Sequence, residues 1–168
     1  IRPCDFPILK EFCRLLTIAF QRQNLIYNTH PPYFDQTINA LLQQQAFSPA
    51  RLEAALADLG WHQQEDFFCC TAELSYDRVS HTLSSICFRF ESAVSNCIAL
   101  PDRENILLII NLQASRKTRE QVLAELVYIV RDGLMKLGSS TVFSNLLLLP
   151  HYVEQSREAL FWGKQYNP

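Results

Sequence analysis

The stretch Cys97-Ile98-Ala99-Leu100-Pro101-Asp102-Arg103-Glu104-Asn105-Ile106-Leu107-Leu108-Ile109-Ile110-Asn111-Leu112 decides the fold. Cys97 to Leu100 reads as a short strand, Pro101 to Asn105 as a turn, and Ile106 to Leu112 as a second strand. A nearly continuous apolar run of this length carries no in-out alternation. It belongs to a strand buried on both faces, which needs the centre of a sheet with helices covering it.

Outward from this hairpin, Phe67 to Leu74 is aromatic and Cys-rich and reads as another strand. Ser80 to Ser95 reads as a helix with Leu83, Ile86, Cys87, Phe90 and Val94 on one side. Thr118-Arg119-Glu120-Gln121 is a capping box, a Thr followed three residues later by Gln. The helix it opens carries Leu123, Leu126, Val130, Gly133 and Leu137, and Gly138 is expected to end it. Ser140 to Ser144 reads as a short edge strand. Pro150 opens a last helix to Phe161, with Gly163 as its stop. Strand, helix, hairpin, helix, strand is the order of a split βαβ unit. The expected class is α+β: a mainly antiparallel, ferredoxin-like sheet with packed helices on one or both faces.

Residues 1–60 carry three helical patterns. Asp5-Phe6-Pro7 starts a helix running to about Asn24, with Leu9, Phe12, Leu16 and Ala19 on one face and Ile8, Leu15 and Phe20 widening it. The stripe is too broad for a solvated helix and calls for a partner. Ile8 to Phe20 is therefore expected at a homodimer contact. Tyr33, Ile38, Leu41 and Leu42 mark a second helix ending near Gln43-Gln44-Gln45. Ser48-Pro49 opens a third, with Leu52, Leu56 and Leu59 buried and Gly60 at its end. The expected division is an amino-terminal helical arm over 1–60 and an α/β domain over 61–168.

The 168 residues carry a net charge of -2. That is too little positive charge to hold nucleic acid by counterion release. No run approaches the ~20 apolar residues of a membrane span. No secretory signal opens the chain, and a cytoplasmic protein is expected. The start at Ile1, without Met, suggests a piece of a longer protein. Cys4, Cys13, Cys69, Cys70, Cys87 and Cys97 lie in apolar patterns without zinc or disulfide-scaffold spacing, so they read as reduced core thiols. Cys69 and Cys70 point to opposite faces of one strand.

His30, His62, His81 and His151 lack the spacing of a zinc hydrolase. No nucleophile elbow or phosphate loop is present. A Cys69 or Cys70 nucleophile with a distant His is the weakest option, because buried strand cysteines are inert. Arg116-Lys117-Thr118-Arg119 reads as a solvated loop, with anion binding at a helix start as its alternative. Trp61 and Trp162 read as core or boundary residues. The sequence therefore points to no catalytic, cofactor-binding or metal-binding residue.

Three stretches together resemble the degenerate GGDEF-like domain of PucR/CdaR-type bacterial transcription regulators. They are Leu59-Gly60-Trp61 before the strand Phe67 to Leu74, the hairpin into Ile106 to Ile110, and Gln155-Ser156-Arg157-Glu158-Ala159-Leu160 before Gly163. The resemblance spans about Tyr33 to Gly163. Ser156 stands where that family often has Ala, and Val153 where it has Tyr. The resemblance implies a nucleotide-cyclase fold, an upstream sensor and a helix-turn-helix segment beyond Pro168. Active diguanylate cyclases carry glycines and an acidic residue in the turn between the second and third strands, and a metal-binding Asp on the first. Here Pro101-Asp102-Arg103-Glu104-Asn105 has no glycine, and Asp102 and Glu104 read as solvated turn residues. Glu73 is the only carboxylate of the first strand. The expected role is a non-catalytic regulatory and dimerisation domain without a cofactor, touching DNA only through the downstream segment. An active cyclase, a sensor of a small-molecule effector and the middle domain of an AraC-type response regulator are the alternatives.

Overall fold

The computed structural model describes residues 12, 14–15, 32–45, 48–73, 83–133 and 135–166. These residues form an α+β structure with six helices around a four-stranded antiparallel sheet. In chain order they are α1 (Pro32–Leu42), α2 (Pro49–Ala57), β1 (Phe67–Glu73), α3 (Leu83–Ala93), β2 (Cys97–Asp102), β3 (Asn105–Asn111), α4 (Leu112–Ser115), α5 (Arg119–Gly133), β4 (Lys136–Ser139) and α6 (Leu149–Tyr166). A 3₁₀ turn over Leu146–Leu148 leads into α6. The strand order is β2-β3-β1-β4.

The apolar run of β3 is buried from Ile106 to Ile110, as its composition requires. β1 is buried from Phe67 to Ala72 and pairs with β3 on one side and β4 on the other. Because strand side chains alternate, this double burial creates two cores. Phe68, Cys70, Leu108 and Ile110 meet Ile86 and Phe90 of α3 and Val122 and Leu126 of α5. Phe67, Cys69, Leu107 and Ile109 meet Phe34 and Ile38 of α1, Leu52 and Leu56 of α2, and Leu149 and Val153 of α6. Helices α1 and α2, assigned from sequence to the arm, thus share their core with the sheet. The helix expected from Asp5 to Asn24 lies outside the described residues except at Phe12, Arg14 and Leu15. Those three are helical, and Phe12 and Leu15 are each 57% exposed.

The capping box forms as read. The Thr118 N–H donates to Gln121 Oε1 at 2.9 Å, and the Gln121 N–H returns to Thr118 Oγ1 at 3.4 Å.

Several boundaries move. The expected turn shrinks to Arg103-Glu104, because Asp102 pairs with Asn105 and Pro101 with Ile106. Arg103 takes the left-handed conformation, φ 57°. Pro101 is tolerated because the N atoms of residues 97, 99 and 101 face away from β3. The Ala99 N–H on that outer side donates to Glu91 Oε1 at 2.9 Å. The outer edge of β2 is therefore sealed by one proline and one carboxylate.

Leu112 leaves the strand for α4, whose N-cap Asn111 accepts the Ala114 N–H at 2.9 Å. α5 stops at Gly133, so Leu137 and Gly138 belong to β4 and not to the helix. The edge strand consequently lies at 136–139 rather than 140–144, where Phe143 makes only an isolated bridge to Phe67. α6 runs through Gly163 to Tyr166. The roughly 1 kcal/mol that Gly costs in a helix is countered by the Trp162–Tyr166 stack and the Lys164–Glu73 ion pair on either side of it.

Gly138 fixes how closely α6 approaches the sheet. A Cβ there would lie 2.2 Å from Ser156 O and 2.4 Å from Leu160 N. Both are helix backbone atoms that cannot rotate away. Gly138→Ala should therefore lift α6 from β4 and cost about 3 kcal/mol or more, read as a lower urea midpoint. A midpoint within error of the parent would show that the helix does not rest on this position.

Candidate functional site

The acidic end of the β2–β3 hairpin lies against α6. Asp102 is half-buried and accepts from Arg157 Nη2 at 2.5 Å, while Arg157 Nη1 donates to Glu154. Burial opposes the Arg157 charge, but the hydrogen bond and charge of Asp102, then those of Glu154, outweigh it and raise the guanidinium pKa above its ordinary value. Asp102 is thus not the solvated turn residue expected from its surroundings in sequence; Glu104 is exposed. At the same end of the sheet, on β1, Glu73 pairs with Lys164 at 2.5 Å. Two residues further into β1 lies a buried hydroxyl pair. Ser156 Oγ donates to Val153 O at 2.8 Å, which leaves Thr71 Oγ1 as donor in the 2.7 Å Thr71–Ser156 contact. Ser156 therefore has a dedicated partner on β1. α6 is held to the sheet by polar contacts at Asp102, Thr71 and Glu73.

Arg157 and Glu154 also form one wall of a groove of about 700 Å³. Leu41 and Leu42 of α1, Leu147, Leu148 and Val153 form its apolar lining, with Gln44, Gln45 and His151 at its polar parts. Its volume falls in the range of small-molecule sites.

A second polar cluster closes the other end of β3. Buried Glu65 accepts the His62 N–H at 2.8 Å and Asn111 Nδ2 at 2.6 Å. Asn96, in the left-handed region with φ 54°, accepts Trp61 Nε1 at 3.2 Å and, through its backbone O, the Asn111 N–H. Buried Trp61 is a core residue, whereas Trp162 is exposed on α6 and not the core or boundary residue expected. Sequence reasoning missed Glu65 and Asn111. For Asn111 the available signal was a lone polar residue between the apolar run of β3 and Leu112; Glu65, inside the polar stretch Gln63-Gln64-Glu65-Asp66, gave none.

The remaining candidates separate. His62 and His151 are exposed, and His30 and His81 lie outside the described residues. The basic cluster is divided. Lys117 pairs with Glu125 at 2.6 Å, while Arg119 donates to Ser139 Oγ and Ser140 O and lies over the Phe68 ring. Among the described residues, no three His, Cys, Asp or Glu side chains are grouped to share a metal ion. No helix among them is long and apolar enough to cross a membrane.

Cys69, Cys70, Cys87 and Cys97 are free and buried; Cys4 and Cys13 lie outside the described residues. Burial pushes the Cys69 thiol up to about 11 against the hydrogen bonds of Ser140 and Ser156, and Cys87 up to about 12. Cys70 and Cys97 are raised by the same cause. No family model matches this chain, and comparison with curated proteins and with solved structures gave no match.

A thiol whose folded pKa lies above its unfolded value of 9.0 keeps its proton better in the folded state. Its contribution to stability is intact below pH 9 and declines as pH rises through 9 toward 11–12. The urea midpoint should fall across that window, and Cys69→Ala should flatten part of the fall. At pH 8, peptide mapping should show Cys69 carrying about 100-fold less thiolate reactivity than in urea, from the two-unit rise. Equal alkylation in the folded and unfolded protein would contradict the buried-thiol reading.

Proposed function

We propose that this chain is a non-catalytic regulatory and dimerisation domain of a bacterial DNA-binding transcription regulator, with a ferredoxin-like, GGDEF-like arrangement. The order β2-β3-β1-β4, with a helix inside each crossover, supports that arrangement. One observation carries the functional reading. Two carboxylates near the turn and the end of the first strand, the regions from which the resembled cyclases draw theirs, are engaged by cations of the last helix, Asp102 by Arg157 and Glu73 by Lys164. A site for phosphoryl transfer needs oxygen ligands with open positions for waters and phosphates. Here the same oxygens position a helix.

That helix suits a regulator. α6 is the last described element, and its register on the sheet is set by Gly138, Thr71, Asp102 and Glu73. A DNA reader following α6 would inherit the orientation of the sheet. The exposed apolar side chains of Phe12 and Leu15 support a self-association contact in the amino-terminal segment. The groove beside Arg157 supports a second reading, a domain that also senses a small-molecule effector.

The purified chain, incubated with GTP or ATP and magnesium, should form no cyclic product above background; sustained turnover would overturn the regulatory reading. Gel shifts with the chain alone should show no specific DNA complex at physiological salt. In sedimentation, Phe12→Glu with Leu15→Glu should weaken self-association while the circular dichroism spectrum is kept. A chain monomeric at high micromolar concentration would refute the amino-terminal contact.

A further inference from the structure

We infer that the free edge of β4 is a strand-addition site for a second copy of this chain, formed about a two-fold axis at Gly138. This contact differs from the amino-terminal one and does not depend on the regulatory reading. It begins with backbone pairing. The Ser140 N–H donates to Cys69 O at 2.9 Å, and Gly138 pairs with Thr71. Antiparallel hydrogen bonding alternates along a strand, so residues 136, 138 and 140 address β1, while Leu137 and Ser139 turn their N–H and C=O groups outward. Among the described residues no strand pairs with that side. The opposite edge of the sheet, β2, is sealed by Pro101 and Glu91.

The helices on both faces present apolar side chains along this edge. Thr141, just past β4, donates its N–H to Gln155 at 2.8 Å, Gly138 touches Ser156 and Leu160, and Lys164 reaches Glu73, the partner of Lys136. α6 therefore runs antiparallel to β4 above it. Gln155, Ala159, Trp162 and Tyr166 are spaced i, i+4, i+7, i+11, so they form one stripe on the β4 side. Trp162 and Tyr166 stack on each other at 6.4 Å and are 52% and 78% exposed. On the other face, Arg119 of α5 reaches Ser139 and Ser140, and Val127 lies two turns along the same stripe, 56% exposed.

A second copy is the occupant for which this edge is self-complementary. With Gly138 opposite itself, Leu137 of each copy faces Ser139 of the other, making reciprocal backbone hydrogen bonds on both sides of the axis. The two Lys136 side chains fall at opposite ends. α6 packs on both β1 and β4. With strands about 4.8 Å apart, the two α6 axes would lie about 10 Å apart, within helix-packing distance. Ala159 lies near the crossing, with an aromatic pair at each end. The exposed aromatics, Val127 and the strand edge offer about 400–500 Å² per copy. The total is near the ~1,000 Å² that a specific interface should clear.

Ser139→Pro removes an outward N–H without touching the β1 ladder, and Trp162→Glu puts a charge in the helix contact. In sedimentation equilibrium of the full chain, each should weaken self-association about tenfold or more with an unchanged circular dichroism spectrum. Hydrogen exchange at the Leu137 and Ser139 amides should be slower at high than at low protein concentration, in the parent and in the Phe12→Glu, Leu15→Glu variant alike. Exchange there that is independent of concentration overturns the proposal. So does a folded Trp162→Glu variant that associates as the parent does. If Ser139→Pro fails to fold, Trp162→Glu and the exchange measurement decide.

Discussion

Strand β1 has neither a free edge nor a solvated face through residues 67–72, and the rest of the structure follows from that. Two strands must flank it, and helices must cover it above and below. A polar side chain at such a position needs a partner inside the protein, since burying a hydroxyl without one costs on the order of 1–3 kcal/mol. Thr71 is the case in point. Its hydroxyl finds Ser156, so the requirement of one buried atom in the sheet sets the rotation of the last helix. The two ion pairs made by the same helix are each partly exposed and contribute no more than about 1 kcal/mol. Their importance lies in direction, since they oppose sliding and tilting of a helix that Gly138 allows into van der Waals contact.

The parts of this fold that were legible in the sequence are those governed by local rules. The β3 run, the Thr118–Gln121 capping box and the Ser48-Pro49 helix start each depend on neighbours within a few residues. The segment 133–144 was not legible, because two glycines five residues apart can each end a helix and nothing nearby chooses between Gly133 and Gly138. The choice is made by α6, whose backbone occupies the space a side chain at 138 would need. Proline misled in the hairpin for a related reason. Whether Pro101 breaks a strand depends on which way its nitrogen faces, a property of the register.

The same division runs through the candidate site. The burial of the four described cysteines could be read from their apolar surroundings, and it raises their thiol pKa values. The pairing of Asp102 with Arg157 joins residues 55 positions apart, and that of Glu73 with Lys164 joins residues 91 apart. A carboxylate in a turn and a carboxylate holding a distant helix look identical in sequence. Glu65 looks like any member of its polar stretch and Asn111 like a strand end, and their bond appears when β3 ends beside the loop that leads into β1.

The sealed edge of β2 has a consequence for assembly. Open-ended growth of a sheet needs two receptive edges on each molecule, so that every addition recreates the surface just consumed. Glu91 and Pro101 withdraw one of them. Association through sheet edges is thereby directed to β4, which favours a closed pair over a growing sheet. A single carboxylate and a single ring thus work against growth through the sheet, whatever other contacts the molecule makes.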